Sequence, residues 1–202
     1  MTESTSPGTY RLFLAISLPE EVVAKLQEVQ GSLRKAAGRA QVRWTNLEQL
    51  HLTMNFLGNV PVDQCPALLS AVNETCASFP PLRLTAGRVG FFPNAQRPRV
   101  IWVGVEDSGG LLPKLHAEIQ KAVAPFSPEE PENRFQAHVT LARVKQMRRE
   151  EAEKIVQIAD RIGSNILGRW TASQIELIRS QLSSQGANHS RMGSASFSVT
   201  AH

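Results

Sequence analysis

The sequence lacks the features of a membrane or secreted protein. No apolar run reaches the roughly 18 residues that a membrane-spanning helix requires. The polar start, residues 1–9, has neither the basic residues nor the apolar core of a signal peptide. We therefore expect a flexible tail over residues 1–9, followed by a single domain over residues 10–202.

Cysteine is scarce, and its spacing argues against a disulfide. The two cysteines, Cys65 and Cys76, lie 11 residues apart within one helical pattern. That spacing is three helical turns, which puts both thiols on one face but too far apart to bond. Two free thiols that serve as small core residues are typical of a cytoplasmic protein.

Two common catalytic signatures are also missing. The sequence has no Gly-x-Ser-x-Gly elbow of a serine hydrolase and no His-Glu-x-x-His metal motif. No Asp or Glu lies inside the paired histidine motifs described below, and carboxylates are common partners of histidine in metal sites. We expect no metal and no cofactor.

The remaining composition is that of a globular protein with a mild basic excess. Hydrophobic residues make up 42% of the 202 residues, and the formal net charge is +4. This is enough for a substantial core, in one large domain or two tightly joined lobes. The positive charge favours an anionic partner only weakly, because basic surface is common.

A pattern of histidine, apolar residue, threonine and apolar residue occurs twice, as HLTM from His51 and HVTL from His138. On a strand, successive side chains point to opposite faces. Each strand would therefore bury its apolar residues, which in the first strand continue to Phe56. The other face would present a histidine beside a threonine, Thr53 or Thr140.

The predicted elements follow a repeating order. Helices are expected over residues 19–38, 62–78, 112–123 and 149–162. Strands are expected over residues 10–18, 41–45, 51–56 (with a turn at 58–59), 82–92, 99–105, 134–144, 170–182 and 195–200.

Each half of the chain thus reads strand, helix, histidine strand, helix, strand. The two histidines are 87 residues apart, and the strands that begin at Arg11 and Arg99 are 88 apart. Residue identity between the halves is low, so the order of elements carries the repeat. A duplicated unit usually packs about a pseudo-twofold axis, and that axis would bring the two histidine faces together across one cleft.

Two imidazoles across a cleft suit acid and base catalysis, because one can accept a proton while the other donates one. Cleavage of a phosphate ester needs such a pair, together with donors to the non-bridging oxygens. Thr53 and Thr140 are placed to be those donors, and Arg143 would add charge. Arg143 follows His138 by five residues, so strict alternation points it away, and its role requires a bulge or a strand end.

The remaining histidines and aromatic residues receive structural interpretations. A single His-x-Thr on a strand is usually a half-buried polar pair, but two copies in matching positions favour catalysis. We expect His116 at the edge of a core, His189 and His202 in mobile polar segments, and Phe13 and Trp102 in the core. Packing or base stacking is open for Trp44, Phe91 and Phe92.

At these motifs the sequence resembles the 2H phosphoesterase family, in particular the bacterial RNA 2′,3′-cyclic phosphodiesterases, also called 2′-5′ RNA ligases. The similarity covers nearly the whole chain, including RLFLAISLP, WTNLEQLHLTMNFLG, PRVIWVGV, RFQAHVTLAR and ELIRSQL. It implies an α+β fold with two pseudo-symmetric lobes of antiparallel sheet and outer helices around a central cleft. The chain departs from the family at residues 183–196, where a small, polar stretch replaces a tyrosine-containing strand.

The resemblance implies metal-independent opening of an RNA 2′,3′-cyclic phosphate end to a 2′-phosphate. By the family pattern His51 would protonate the leaving 3′ oxygen and His138 would activate water, while Thr53, Thr140 and Arg143 would hold the phosphate. The reverse joining of RNA ends through a 2′-5′ link is implied as well. The alternatives are a non-catalytic module that binds a nucleotide or RNA end, and a phosphodiesterase for a small cyclic phosphate. The expected partner is RNA, with no membrane, and the expected state is a monomer.

Overall fold

A computed structural model of the chain describes residues 8–130, 134–163, 165–183 and 186–198. Within these residues the helices are α1 (Glu20–Ala37), α2 (Cys65–Cys76), α3 (Leu112–Val123) and α4 (Arg149–Ile162). The strands are β1 (Thr9–Ser17), β2 (Gln41–Trp44), β3 (His51–Pro61), β4 (Leu82–Phe92), β5 (Val100–Asp107), β6 (His138–Gln146), β7 (Ile166–Ala172), β8 (Gln174–Ser183) and β9 (Gly186–Ser196).

The described strands pair in the order β7-β4-β5-β6-β3-β1-β8-β9, with β2 added to β6. All of these pairings are antiparallel. The first lobe is β3-β1-β8-β9 and the second lobe is β6-β5-β4-β7. They join where β3 meets β6, at the single residue pair Leu52 and Val139. The predicted α+β fold with two antiparallel lobes is confirmed.

The two lobes do not coincide with the two halves of the sequence. β4 comes from the first half, but it pairs with β5 and β7 in the second lobe. β8 comes from the second half and pairs with β1 in the first lobe. Each lobe therefore needs strands from both halves, which interlocks them.

The helices carry apolar stripes that are buried in one core with residues of the strands. In α1 the buried residues include Val22, Leu26 and Leu33, which recur at helical spacing. The helix begins after Pro19 and ends at Gly38, whose φ of 56° suits glycine. No described helix has the length and apolar character needed to cross a membrane. We call the covered side of the sheet the helix face and the other side the cleft face.

The cysteines behave as the sequence indicates. Cys76 is buried and Cys65 half-buried, and both are free. Burial raises the pKa of the Cys76 thiol to about 12, so it stays protonated. The helix predicted over residues 62–78 begins at Cys65 instead, because residues 62–64 form a 3₁₀ turn before α2.

The length and the bulges of β3 overturn two predictions for the first histidine strand. There is no turn at residues 58–59, because β3 continues to Pro61. Opposite β1, the strand has extra residues at Met54 and Leu57, and a bulge shifts the alternation of side chains. Leu57 is therefore buried, whereas Phe56 lies opposite Phe13 and is 58% exposed. The prediction that Phe56 is buried was wrong.

The C-terminal strands also differ from the prediction. The single strand expected over residues 170–182 is two strands in different lobes: β7 is the edge strand of the second lobe, and β8 lies between β1 and β9 in the first lobe. The polar stretch 183–196 contains β9, which pairs with β8 through backbone hydrogen bonds that need no apolar side chains. β9 ends at Ser196, and β6 starts at His138, later than predicted. Residues 1–7, Thr200 and His202 lie outside the described residues, while Thr9 already belongs to β1.

One buried amide links α1 to both histidine-strand regions. The Gln30 side chain is only 3% exposed, and its Nε2 donates to the carbonyl oxygens of Thr45 and Leu141, each at 2.9 Å. Without this amide the Thr45 carbonyl would lose its side-chain donor, whereas the Leu141 carbonyl would keep the hydrogen bond from the Thr45 backbone N–H at 2.9 Å. A buried polar group left unpaired is costly.

We predict that Gln30→Ala lowers the free energy of unfolding by about 2 kcal/mol, measured by urea denaturation. Gln27 is an exposed glutamine on the same helix, so Gln27→Ala is the matched control and is expected to change stability by less than about 0.5 kcal/mol. Equal effects of the two substitutions would contradict a specific role for the buried amide.

Candidate active site

The junction of the lobes brings the two histidine motifs together. Leu52 and Val139 form the joining pair, and both are fully buried on the helix face. Because the two strands run in opposite directions, the residue before Leu52 lies next to the residue after Val139. His51 is therefore nearest to Thr140 across the junction, and Thr53 is nearest to His138. The four side chains share the cleft face, and all are half-buried.

Each imidazole is anchored by a backbone carbonyl two residues earlier. Nδ1 of His138 lies 2.7 Å from the carbonyl oxygen of Gln136, and the backbone of Gln49 hydrogen-bonds the ring of His51. A carbonyl accepts, so Nδ1 of a neutral His138 carries the proton and Nε2 is left to exchange one. The repeat thus extends to the positions that orient the rings.

The ring of His51 lies against two aromatic rings. It stacks on Phe13 with centroids 4.9 Å apart, and the ring of His189 lies edge-on at 5.7 Å. Burial lowers the pKa of His51 to about 4, the positive charges on His189 and His138 add to the lowering, and the Gln49 carbonyl opposes it. His51 is therefore neutral near pH 7 in the free protein.

His138 has a different set of neighbours. Phe92 lies edge-on at 5.1 Å and Trp102 lies at 6.1 Å between ring centroids. The indole of Trp102 lies over Gly90, where a Cβ would come within 2.2 Å of it. Trp102 is buried as predicted, but it lines the cleft face and not the helix-face core, and the same holds for Phe13.

A bulge in β6 turns Arg143 towards the site. Opposite β5, Trp102 pairs with Thr140 and Ile101 pairs with Ala142, so Leu141 is an extra residue. Leu141 and Ala142 are both buried and Arg143 is exposed, which returns Arg143 to the face of Thr140. The bulge that the sequence-based role of Arg143 required is present. Phe56 has the same offset from Thr53, so it is the counterpart of Arg143.

Sequence reasoning missed His189. It is placed on β9 opposite Ser180, half-buried against Phe13 and His51, and burial lowers its pKa. The Gln49 side chain donates to the carbonyl of Ala187, which ties β9 to the turn before His51. No periodic pattern marks this polar stretch as a strand. The only signal that could have indicated a site there was the presence of a histidine.

A carboxylate also escaped the sequence analysis. Glu176 on β8 accepts a hydrogen bond from Ser17 at 2.7 Å and pairs with Arg191 at 3.3 Å. Ser17 is opposite His51 in the β1–β3 register. The first lobe therefore carries aromatic rings near the histidine, together with a carboxylate that is paired with an arginine.

The other sequence candidates lie outside this group. His116 is buried and stacks on Phe135, with centroids 4.0 Å apart, so it is not an edge residue. Trp44 and Phe91 pack against the main core. Across the part of the chain that the structure describes, no three His, Cys, Asp or Glu side chains come together in a metal-binding group.

Comparison with known proteins identifies the family. The model of the LigT-like phosphoesterases matches twice, over residues 16–102 and 103–187. The chain belongs to the LigT-like phosphoesterase family. The double match divides the chain within β5 and agrees with the repeat read from the sequence, and the expected family and enzyme class are confirmed.

Several relatives of this phosphoesterase cover most of its length. A Thermus thermophilus protein named RNA 2′,3′-cyclic phosphodiesterase is 32% identical over 183 residues, covering 87% of this chain and 84% of the relative. A protein of the same name from Methanothermobacter thermautotrophicus is 28% identical over 185 residues, covering 90% and 96%. The crystal structure of TT0787 from Thermus thermophilus superimposes with a TM-score of 0.75 at 30% identity, covering 93% and 97%. Escherichia coli LigT complexed with 3′-AMP shares the fold, with a TM-score of 0.72 at 22% identity and coverage of 94% and 98%.

We predict that His189→Phe raises the pKa of His51 above its value of about 4. Phenylalanine keeps the packing but removes the charge that repels a proton on His51. NMR titration of the His51 ring protons measures the shift. Ser190→Ala on the same strand is the control and leaves the titration unchanged. An unshifted His51 in His189→Phe would show that the neighbouring imidazole has no electrostatic effect.

Proposed function

We propose that this protein hydrolyses RNA 2′,3′-cyclic phosphate ends to 2′-phosphate ends by paired-histidine catalysis that needs no metal. The observation that supports the proposal is the junction at Leu52 and Val139, which pairs the two histidine strands, so that both imidazoles and both threonines face the same cleft. The names of the relatives in Thermus and Methanothermobacter support the substrate.

In the proposed reaction the cyclic phosphate lies between the two rings. His138 takes a proton from water, the water oxygen attacks phosphorus, and the bond from phosphorus to the 3′ oxygen breaks. His51 gives its proton to that 3′ oxygen, so the product keeps a 2′-phosphate and the two rings exchange protonation states. Attacking and leaving oxygens lie roughly in line, which suits proton carriers on opposite sides of one phosphorus.

The acid role of His51 requires substrate-linked protonation. His51 is neutral in the free protein because its pKa is about 4, whereas an acid must be charged when the bond breaks. A phosphate anion beside the ring favours the charged form and raises its pKa. Binding of the cyclic phosphate would thus supply the electrostatic change that makes His51 an acid.

Thr53, Thr140 and Arg143 would stabilise the charge on the non-bridging oxygens. The two hydroxyls share the cleft face with the rings, and the bulge at Leu141 returns Arg143 to that face. Donors placed where charge develops are effective because they need no reorganisation during the reaction.

The same site would join RNA ends if a 5′-hydroxyl replaced the water, since the bond that breaks is the same. We propose that the protein works as a monomer in the cytoplasm, where its two thiols stay free. A binding module is the less favoured alternative, because binding alone would not need two anchored proton carriers.

We predict that His51→Ala and His138→Ala each lower kcat/KM about 10³-fold on an oligonucleotide that ends in a 2′,3′-cyclic phosphate. Circular dichroism shows whether the variants fold, and calorimetry shows whether they still bind the substrate. Full activity of either variant would contradict the mechanism, as would loss of wild-type activity in EDTA. Tight binding by the wild-type protein without turnover would support a binding module.

We predict that Arg143→Gln lowers kcat/KM about 10²-fold, mostly through kcat, because the missing charge counts most in the transition state. Lys114→Gln removes an exposed charge from α3 and is the control, with an expected change of less than twofold. An effect of Arg143→Gln on KM alone would assign Arg143 to ground-state binding.

A further inference from the structure

The cleft face of the second lobe holds an open pocket beyond the histidines, with a volume of about 480 Å³. Leu84 and Trp170 contribute apolar lining, and the polar lining residues are Arg83, Thr85, Ser108, Arg169 and Thr171. It contains two guanidinium groups and three hydroxyl groups but no carboxylate among its lining residues. Such a set suits an anion with several oxygens.

The strand register places these side chains on the cleft face. Leu84 on β4 is buried on the helix face, so its neighbours Arg83 and Thr85 point the other way. On β7, Arg169 is opposite Thr85 and Thr171 is opposite Arg83. A Cβ atom at Gly168 would point to the helix face and come within 2.6 Å of the Val22 side chain of α1. The following residue, Arg169, therefore points to the cleft face.

Two glycines lie between the pocket and His138, and the edge of the Trp102 indole is 3.5 Å from a Cβ position at one of them, Gly104. In the register of the second lobe, His138 is opposite Gly104, and Gly104 is opposite Gly87. Thr85 follows two residues further along β4. From His138 to Thr85 the path crosses two strand spacings and runs two residues along β4, which is about 12 Å within the sheet. An RNA strand that leaves the histidines would therefore reach the pocket by passing over these glycines.

The charge of the second lobe favours an anionic chain along this path. Neither Arg83 nor Arg169 has an ion-pair partner among the residues that the structure describes. Arg88 lies on the way, with its guanidinium over Trp102 at 5.8 Å. Glu106, opposite Thr85, is the acidic neighbour on this face, and it is exposed.

Among the residues that the structure describes, the first lobe has a different kind of cleft face. Its cleft face carries Phe13, Phe56 and Ile178, and the Glu176 carboxylate there accepts from Ser17 and pairs with Arg191. Apolar rings suit a base or ribose better than a phosphate backbone, and the Arg191 guanidinium is already paired with a carboxylate. The two lobes therefore differ in which part of a nucleic acid they can hold.

We propose that the Arg83–Arg169 pocket binds the sugar-phosphate backbone of the RNA strand that leads to the reacting end. This inference rests on the proposed function and adds a substrate class, namely oligonucleotides in preference to mononucleotides. Arginines and hydroxyls contact phosphates without reading sequence, so the preference is for length and not for base identity.

The test compares two substrates with the same terminal nucleotide, a nucleoside 2′,3′-cyclic monophosphate and a ten-residue RNA that ends in the same cyclic phosphate. The double variant Arg83→Gln/Arg169→Gln is expected to lose about tenfold in kcat/KM on the RNA at low salt and less than twofold on the mononucleotide. Losing two phosphate contacts also reduces the slope of log affinity against log salt by about 1.4.

Lys114→Gln/Lys154→Gln removes the same charge from exposed positions on α3 and α4 and is the matched control, with little effect on either substrate. Equal losses on both substrates, or no loss on the RNA, would overturn the pocket proposal. Wild-type protein that is inactive on both substrates would contradict the proposed function instead. Fluorescence anisotropy with a non-cyclic ten-residue RNA then tests the pocket separately, because weaker binding by Arg83→Gln/Arg169→Gln supports it and unchanged binding overturns it.

Discussion

The backbone pairing of Leu52 with Val139 is the contact on which the rest of the site depends. It is the one residue pair that joins β3 to β6 among the described residues, so the strands separate on both sides and leave a cleft. The apolar residue inside each motif makes the joint on the helix face, and the histidine and threonine that flank it face the cleft. In each copy of the pattern, the same three residues therefore supply the apolar side chain that joins the lobes and the histidine and threonine that face the cleft.

The exchange of strands between the halves holds that joint in place. Because β4 completes the second lobe and β8 completes the first, neither half of the sequence can form its lobe alone. Gln30 adds a direct link, since one buried amide serves the residue after β2 and the bulge of β6. The relative placement of the two histidine strands thus depends on strands from both halves of the chain.

Local signals in the sequence predicted the helices, the motifs and the repeat. Pro19 and Gly38 bound α1 because their backbone preferences act locally, and the His-x-Thr pattern follows from simple alternation. The bulges at Met54 and Leu141 were not predictable in this way, since a bulge appears only against the register of a partner strand. That is why Phe56 was assigned to the wrong face and Arg143 could not be chosen by spacing. β9 was missed because backbone pairing, and not an apolar pattern, forms it, and His189 was missed with it.

The fold is pseudo-symmetric, but acid–base chemistry needs two different histidines. The repeated backbone gives both rings the same anchor, a carbonyl two residues earlier. The differences come from side chains outside the repeat: His51 lies between Phe13 and His189, whereas His138 lies beside Phe92 and Trp102. Phe56 and Arg143 hold matching positions and differ in the same way, one apolar and one charged. A symmetric pair of sites would give both rings the same affinity for protons, and neither would be committed to donating or accepting. Divergence of the neighbours on one repeated frame therefore gives the two rings different surroundings, which the proposed division into acid and base requires.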